Sequence, residues 1–318
     1  MNKLFFKIFY KIIKLKLFNK FFKPVAIIFT LHRVQEIHNN ELPLDYSLKV
    51  SPQFLENLIL YYKNLNYEFI SLDDLHYALL NKLSIKNKIL FTLDDGYLDN
   101  YVNAYPIFKK HNIPFTIFVC TSFPDKKIFK WWLVLERIIF NSDYIILNNG
   151  ETLDCSDINQ KIQTFFILRE RIMSVNMNNI ELFFHEMFIN YSNYFTLENT
   201  DLTWDNIKIL SQDSLVTIGG HTVNHKPLKK QSYEESFFEI EQGNKIIEDQ
   251  IGIKVNHFAY PFGSLNECSI REFKIISKCK LKTAVTTINS PIYSIHRYFL
   301  SSLPRINLTE NFDYFNYN

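Results

Sequence analysis

Two adjacent carboxylates, Asp94 and Asp95, close the apolar run that precedes them, and Gly96 follows at once. Like charges side by side repel, and either one is costly to bury unless something compensates it. A tight turn accounts for the glycine, and a bound cation would account for the carboxylates. A second polar knot, His221-Thr222-Val223-Asn224-His225, comes directly after Gly219-Gly220. Two histidines at i, i+4 lie on one side of a helical turn, near enough to share one ion. The HxxxH spacing is weak by itself, and a carboxylate at a neighbouring strand end strengthens it. Asp95, His221 and His225 would supply the three protein ligands of a catalytic zinc or other divalent cation, with a position left open for water. Asp94 would then be free to accept a proton from that water.

Such residues need a scaffold that brings strand ends together. Residues 25–34, VAIIFTLHRV, read as a buried strand ending in His32-Arg33. Ser51-Pro52 opens a helix over 51–64, and Ser71 with Asp74 opens another after a short strand at 68–70. Residues 86–96 read as the next strand, 99–111 as a helix, and 113–122 as a β-rich run entered through Pro114. Strand, helix and strand at this spacing make a βαβ unit and therefore a parallel sheet. The strand pattern resumes at 214–225, followed by a long amphipathic helix over 232–251 stopped at Gly252. A strand and turn at 256–263, a helix at 270–279 and a strand at 282–287 complete the series. In α/β sheets and barrels, ligands bind at the carboxyl ends of the strands, where both polar knots fall. From about 124 to 205 the rhythm changes to helical, aromatic-rich stretches between Asn- and Ser-rich loops, an insertion expected to carry no strands.

At 318 residues the chain can bury a full core, and 47% apolar with 21% charged residues is ordinary for a globular protein. A net charge of +2 argues against a nucleic-acid binder. Cys120, Cys155, Cys268 and Cys279 form no CxxC pair and no disulfide framework, which fits a reducing compartment. Residues 1–23 stand apart with seven lysines and no acid. No apolar run there reaches the roughly 20 residues of a membrane span, and no small-residue cleavage site follows. A basic amphipathic segment lying on an anionic membrane surface is the expectation, against a helix packed on its own domain.

The stretches FTLDDGYLDN, HTVNH and FAYPFG, in that order, resemble the first three motifs of the polysaccharide deacetylase family, carbohydrate esterase family four. YPIFKKHNIPFTIFV is similar to the helix and strand that follow the first of them, and the resemblance runs from about 26 to 308. It implies a distorted (β/α) barrel of about seven strands over residues 24–310, with the helical insertion at 124–205 and a tail at 311–318. It also implies Asp94 as general base, Asp95, His221 and His225 as metal ligands, and an oxyanion contact from the main chain of Phe262 beside Tyr260. Two positions depart from the pattern. Ala259 stands where the family carries an arginine that braces the base, and Arg305 in LPRINL is the candidate to replace it. No Leu-x-x-His motif occurs near the C-terminus, so His32, similar to the Tyr-His-x-Val histidine of permuted members, is preferred over His296 as general acid.

The expected function is metal-dependent deacetylation of an N-acetylated sugar, free, nucleotide-linked or lipid-linked, in a bacterial surface glycan or lipopolysaccharide precursor. The basic N-terminal segment would hold the protein on the cytoplasmic side of the inner membrane, with no nucleic-acid or protein partner. Hydrolysis of another amide or an O-acetyl ester is the rival in chemistry, and a silent glycan-binding protein the rival in class. Trp131-Trp132 would either stack on sugar or pack in the core. His38, His111, His185 and His257 have no partner pattern and are expected to be structural or exposed.

Overall fold

The computed structural model describes residues 23–37, 48–176, 179–197 and 200–313. Apart from Lys23, the basic segment 1–23 lies outside the described residues, as do His38 and residues 314–318 of the tail.

The described residues hold twelve strands: β1 (Ala26–Leu31), β2 (Arg33–Val34), β3 (Lys49–Val50), β4 (Glu68–Phe69), β5 (Lys88–Leu93), β6 (Phe115–Val119), β7 (Tyr144–Ile146), β8 (Thr152–Asp154), β9 (Val216–Gly220), β10 (His257–Ala259), β11 (Thr283–Asn289) and β12 (Leu303–Asn307). Seven of them, in the order β1-β5-β6-β9-β10-β11-β12, run parallel and close on themselves. Closure is made by β1, which pairs β5 from Ala26↔Lys88 to Leu31↔Leu93 and pairs β12 at Phe29↔Ile306. Every residue of β1 and β6 is buried. Parallel strands covered on both faces read as unbroken apolar runs, and that is how these segments read. Short β4 pairs with the first residues of β5, outside the ring.

The helices begin where the sequence supplies caps. Ser51 accepts from the Phe54 amide with Pro52 at the first turn, and Ser71 and Ser232 form capping boxes with Asp74 and Glu235. The helix Tyr233–Ile251 ends at Gly252, whose φ of 70° is the left-handed cap. A core of Phe29, Phe91, Phe108 and Phe115 fills the space between barrel and helices, with Phe108 and Phe115 stacked at 4.4 Å. Burying each such ring contributes roughly 1.5–3 kcal/mol.

Two elements differ from expectation. The first strand stops at Leu31, and Arg33–Val34 instead pair with Lys49–Val50 in a separate parallel ribbon. The helix expected over 99–111 is two elements, a π-helical turn at Asn100–Ala104 and an α-helix at Tyr105–His111. Pro106, near the start of the second, has no N–H to continue the first.

The chain divides into two compact units. The barrel unit draws on residues 1–36, 49–126 and 201–318, and the second unit on 37–48 and 127–200. The second unit has its own core, in which Val134, Ile138, Leu168, Ile172, Phe184 and Phe188 are fully buried. Its helices are Trp131–Phe140, Ile158–Ser174 and Ile180–Met187. Against the expectation of no strands here, β7 and β8 form an antiparallel hairpin. Three-residue strands bounded by Asn and Gly leave too little alternation to read from sequence. Trp131 sits in that core at 4% exposure, its ring edge-on to Trp132.

Candidate active site

His32 follows β1, Asp94 and Asp95 follow β5, His221 follows β9, and Tyr260 to Phe262 follow β10, so all reach the carboxyl-end rim of the barrel. The backbone there is unusual. Asp95, Thr222, His225 and Phe262 have φ of 76°, 70°, 53° and 60°, a left-handed region that non-glycine residues enter at a cost of about 1–3 kcal/mol each. Such a cluster persists only where surrounding contacts over-determine it, and here those contacts are specific.

The loop 221–225 is not the helical turn that the HxxxH spacing suggested. It is irregular, and its histidines converge because Glu239 holds the loop from the helix Tyr233–Ile251. Glu239 is buried, accepts from the amides of Val223 and Asn224 at 2.9 and 2.8 Å, and accepts from Asn224 Nδ2 at 2.8 Å. Ser122 donates to Asn224 Oδ1, and the amides of Thr121 and Ser122 donate to the carbonyls of Thr222 and Val223. Gly243 lets this helix approach: a Cβ there would lie 2.9 Å from the Thr222 carbonyl carbon.

His221 Nδ1 bonds the Ala259 carbonyl at 2.8 Å, which turns Nε2 toward Asp95. Asp95 Oδ1 stands 3.2 Å from Nε2 of His221 and 3.2 Å from Nε2 of His225. This buried oxygen completes no hydrogen bond of good geometry. Burial pushes the Asp95 carboxyl up, but His225 and His221 more than reverse this and hold it well below the usual carboxylate range. Burial lowers His221, and Asp95 and Asp94 outweigh that, so its imidazole titrates above its ordinary value. Two nitrogen lone pairs and a carboxylate oxygen converging on one point, with the second ring nitrogen tied to a carbonyl, is a donor set that fits a divalent cation.

Arg305 on β12 lies against Asp94, donating from Nη1 to Oδ1 at 2.7 Å and from Nη2 to Oδ2 at 2.6 Å. Its remaining donors reach the Thr286 carbonyl and Thr92 Oγ1, both at 3.0 Å. Burial would raise the Asp94 carboxyl, and the guanidinium overrides it and holds the group below its ordinary value. Ala259, which replaces the expected arginine in sequence, gives up only its carbonyl, to His221.

His32 is half-buried beside these groups. Burial lowers its pKa against the opposing pull of Asp95 and Asp94, and Nδ1 has no hydrogen-bond partner among the described residues. Its backbone is fixed by the π-helical turn: Asn100 Nδ2 donates to the His32 carbonyl at 2.8 Å. Asp99 accepts from the Val34 amide and from Arg33 Nε. His296 lies elsewhere, fully buried in the short 3₁₀ turn Ser294–Tyr298, with Nδ1 on the Tyr293 backbone and its pKa lowered by burial to about 4. The Tyr260 side chain is not at the site. Its ring packs against Phe258 and Phe273 and its hydroxyl donates to the Ser301 carbonyl, because apolar β10 flanks leave the ring a core position. Phe262 stands 5.0 Å from the His225 ring, and its turn is pinned to β11 through Thr287, which donates to the Phe262 and Gly263 carbonyls. His257 and His111 are structural, bonded to Thr283 and Glu56. His185 stacks on Phe195 within the second unit.

Glu239, Asp99 and Asn100 were not singled out from sequence. The available signal for Glu239 was an acid within the buried stripe of an amphipathic helix, beside Ile240, Gly243 and Asn244.

Residues 82–282, well over half of the chain, match the family model described as polysaccharide deacetylase. The chain belongs to the polysaccharide deacetylase family. Solved structures share the family's barrel. A Streptococcus pyogenes deacetylase, PplD, in complex with acetate superposes with a TM-score of 0.61 at 20% identity, covering 91% of this chain and 95% of that one. IcaB from Ammonifex degensii gives 0.58 at 15%, covering 90% and 92%. A de-N-acetylase from Aggregatibacter actinomycetemcomitans gives 0.57 at 15%, covering 92% and 99%. No curated protein sequence matches the chain.

Proposed function

We propose that the protein is a metal-dependent N-deacetylase that hydrolyses the acetamide of an N-acetylated sugar in a bacterial glycan or glycolipid. The observation that carries this reading is the pairing of an Asp95–His221–His225 donor set with a second carboxylate, Asp94, clamped beside it by Arg305. A divalent ion held by those three residues, with zinc favoured by the N/O donor set, would supply Lewis acidity for the acetamide carbonyl and lower the pKa of water.

The remaining work falls to the chain itself. Asp94, kept anionic by Arg305, accepts a proton from the attacking water at its carboxylate. The Phe262 amide, in its left-handed turn, donates to the oxyanion. His32 delivers a proton to the sugar nitrogen as the C–N bond breaks, and the products are acetate and a free amine. His296, bound to its own turn, is not placed for that role.

The reading rests on sequence for its setting: seven lysines and no acid in residues 1–23 favour a membrane surface, on the cytoplasmic side, for a surface-glycan or lipopolysaccharide precursor. The test is metal analysis of purified protein, coupled to acetate release from N-acetylated nucleotide sugars, lipid-linked sugars, free oligosaccharides and O-acetylated controls. Expected is a bound divalent ion and acetate from N-acetyl substrates. Release from O-acetyl esters alone would overturn the assignment. Asp94→Asn should retain the ion and lose about 10²–10⁴-fold in rate, whereas His225→Ala should lose the ion.

A further inference from the structure

The rim of the barrel opposite the site carries a second feature. A groove is lined there by Val25, Leu79, Lys82, Leu83, Ile85 and Arg297. Val25 immediately precedes β1 and Ile85 comes just before β5, so the groove opens at the amino ends of the strands. Around it stand exposed apolar side chains: Tyr77 at 62%, Leu80 at 52%, Leu83 at 50% and Tyr298 at 72%. Cations interleave with them, namely Lys82, Lys86 and Arg297, the last with its guanidinium 5.5 Å above the Tyr298 ring. Acids near this rim are already engaged: Asp73 pairs with Lys282, Glu68 with Lys88, and Asp74 caps Ser71.

Single exposed apolar residues are ordinary. Four large ones grouped with cations that pair with no carboxylate among the described residues are the composition of a surface that meets the interface of a bilayer, where rings and aliphatics sit at headgroup depth and cations meet anionic lipid. The lysine-rich residues 1–23 join the fold at this same place, since the Val25 amide donates to the Ile292 carbonyl at 2.7 Å beside the groove.

We propose that the amino-end rim of the barrel, centred on Lys82, Leu83, Arg297 and Tyr298, docks on an anionic bilayer surface. The six residues of β5 set the site about 20 Å away on the opposite rim. The docked enzyme would then reach an acetamide on a glycan that extends about that far from the headgroups, whether lipid-linked or soluble.

The test uses the full chain and vesicles of phosphatidylcholine with and without phosphatidylglycerol. Lys82→Gln and Arg297→Gln should each weaken sedimentation with the anionic vesicles about fivefold, and the double variant about twenty-five-fold. Leu83→Ser/Tyr298→Ser, both at exposed positions, should weaken it as well with unchanged thermal unfolding. Partition that is unchanged in all of these variants would show residues 1–23 acting alone and overturn the proposal. So would equal loss on vesicles lacking phosphatidylglycerol, or vesicle-independent self-association that the variants abolish. Orientation is read with an environment-sensitive fluorophore at Tyr298→Cys or at Lys126→Cys, the latter beyond the carboxyl end of β6. A blue shift on vesicles at 298 and none at 126 is expected, and the reverse would overturn the orientation. None of these readouts needs catalytic turnover, so they stand or fall separately from the deacetylase reading.

Discussion

Arg305 decides the state of Asp94. Both are nearly fully buried, and a bidentate guanidinium–carboxylate pair is the one arrangement that lets a carboxylate stay charged there. Arg305→Met would leave a buried charge with no partner, a loss of about 3–5 kcal/mol visible as a lower urea midpoint. The Asp94 carboxyl would rise toward protonation, so the acid limb of the rate profile should move to higher pH. Adding Asp94→Asn to that variant should recover part of the stability, because the uncompensated charge is gone. Lysine cannot replace the arginine, since a point charge cannot meet both carboxylate oxygens in plane.

Elements matter here for how they force loops into costly conformations. The helix Tyr233–Ile251 works through two residues on one face, Glu239 as a staple and Gly243 as a gap. Glu239→Gln can no longer accept from every donor it now serves, and metal affinity should fall about 10–100-fold with the barrel intact. Gly243→Ala presses a methyl against the Thr222 backbone and should lower both metal affinity and thermal stability. The π-helical turn acts on the other side of the site. Asp99→Asn loosens the ties to Arg33 and Val34 behind His32, and should reduce turnover while equilibrium dialysis shows full metal binding.

At the scale of the whole molecule, β1 joins the two ends of the barrel sequence, and the same closure carries Arg305 to Asp94. The segment that returns from β11 to β12 buries His296. Its pKa of about 4 lies below the ordinary 6.5, so between those values the unfolded chain binds a proton the folded chain does not. Stability from this group is complete above pH 6.5 and declines as pH falls toward 4, by up to about 1.4 kcal/mol per pH unit. His296→Gln should unfold with a shallower dependence across that window than the parent, measured by denaturant titration at several pH values.

Local chemistry is written in the sequence. Buried parallel strands show as apolar runs, helix starts as Ser with an acid three residues on, and the carboxylates and histidines as polar breaks at strand ends. The family resemblance added the barrel to these. Arg305 could be named as the candidate brace for Asp94 only through that resemblance, since the two lie 211 residues apart. What depends on long-range closure was not legible: that Glu239 rather than a helical turn makes His221 and His225 converge. The same holds for Tyr260, whose ring turns into the core, and for the hairpin within the second unit. A residue's type and its neighbours in sequence set which conformations are cheap, so caps and strands can be read locally. The left-handed backbone at Asp95, Thr222, His225 and Phe262 is costly by itself, and only contacts from distant elements make it the stable choice.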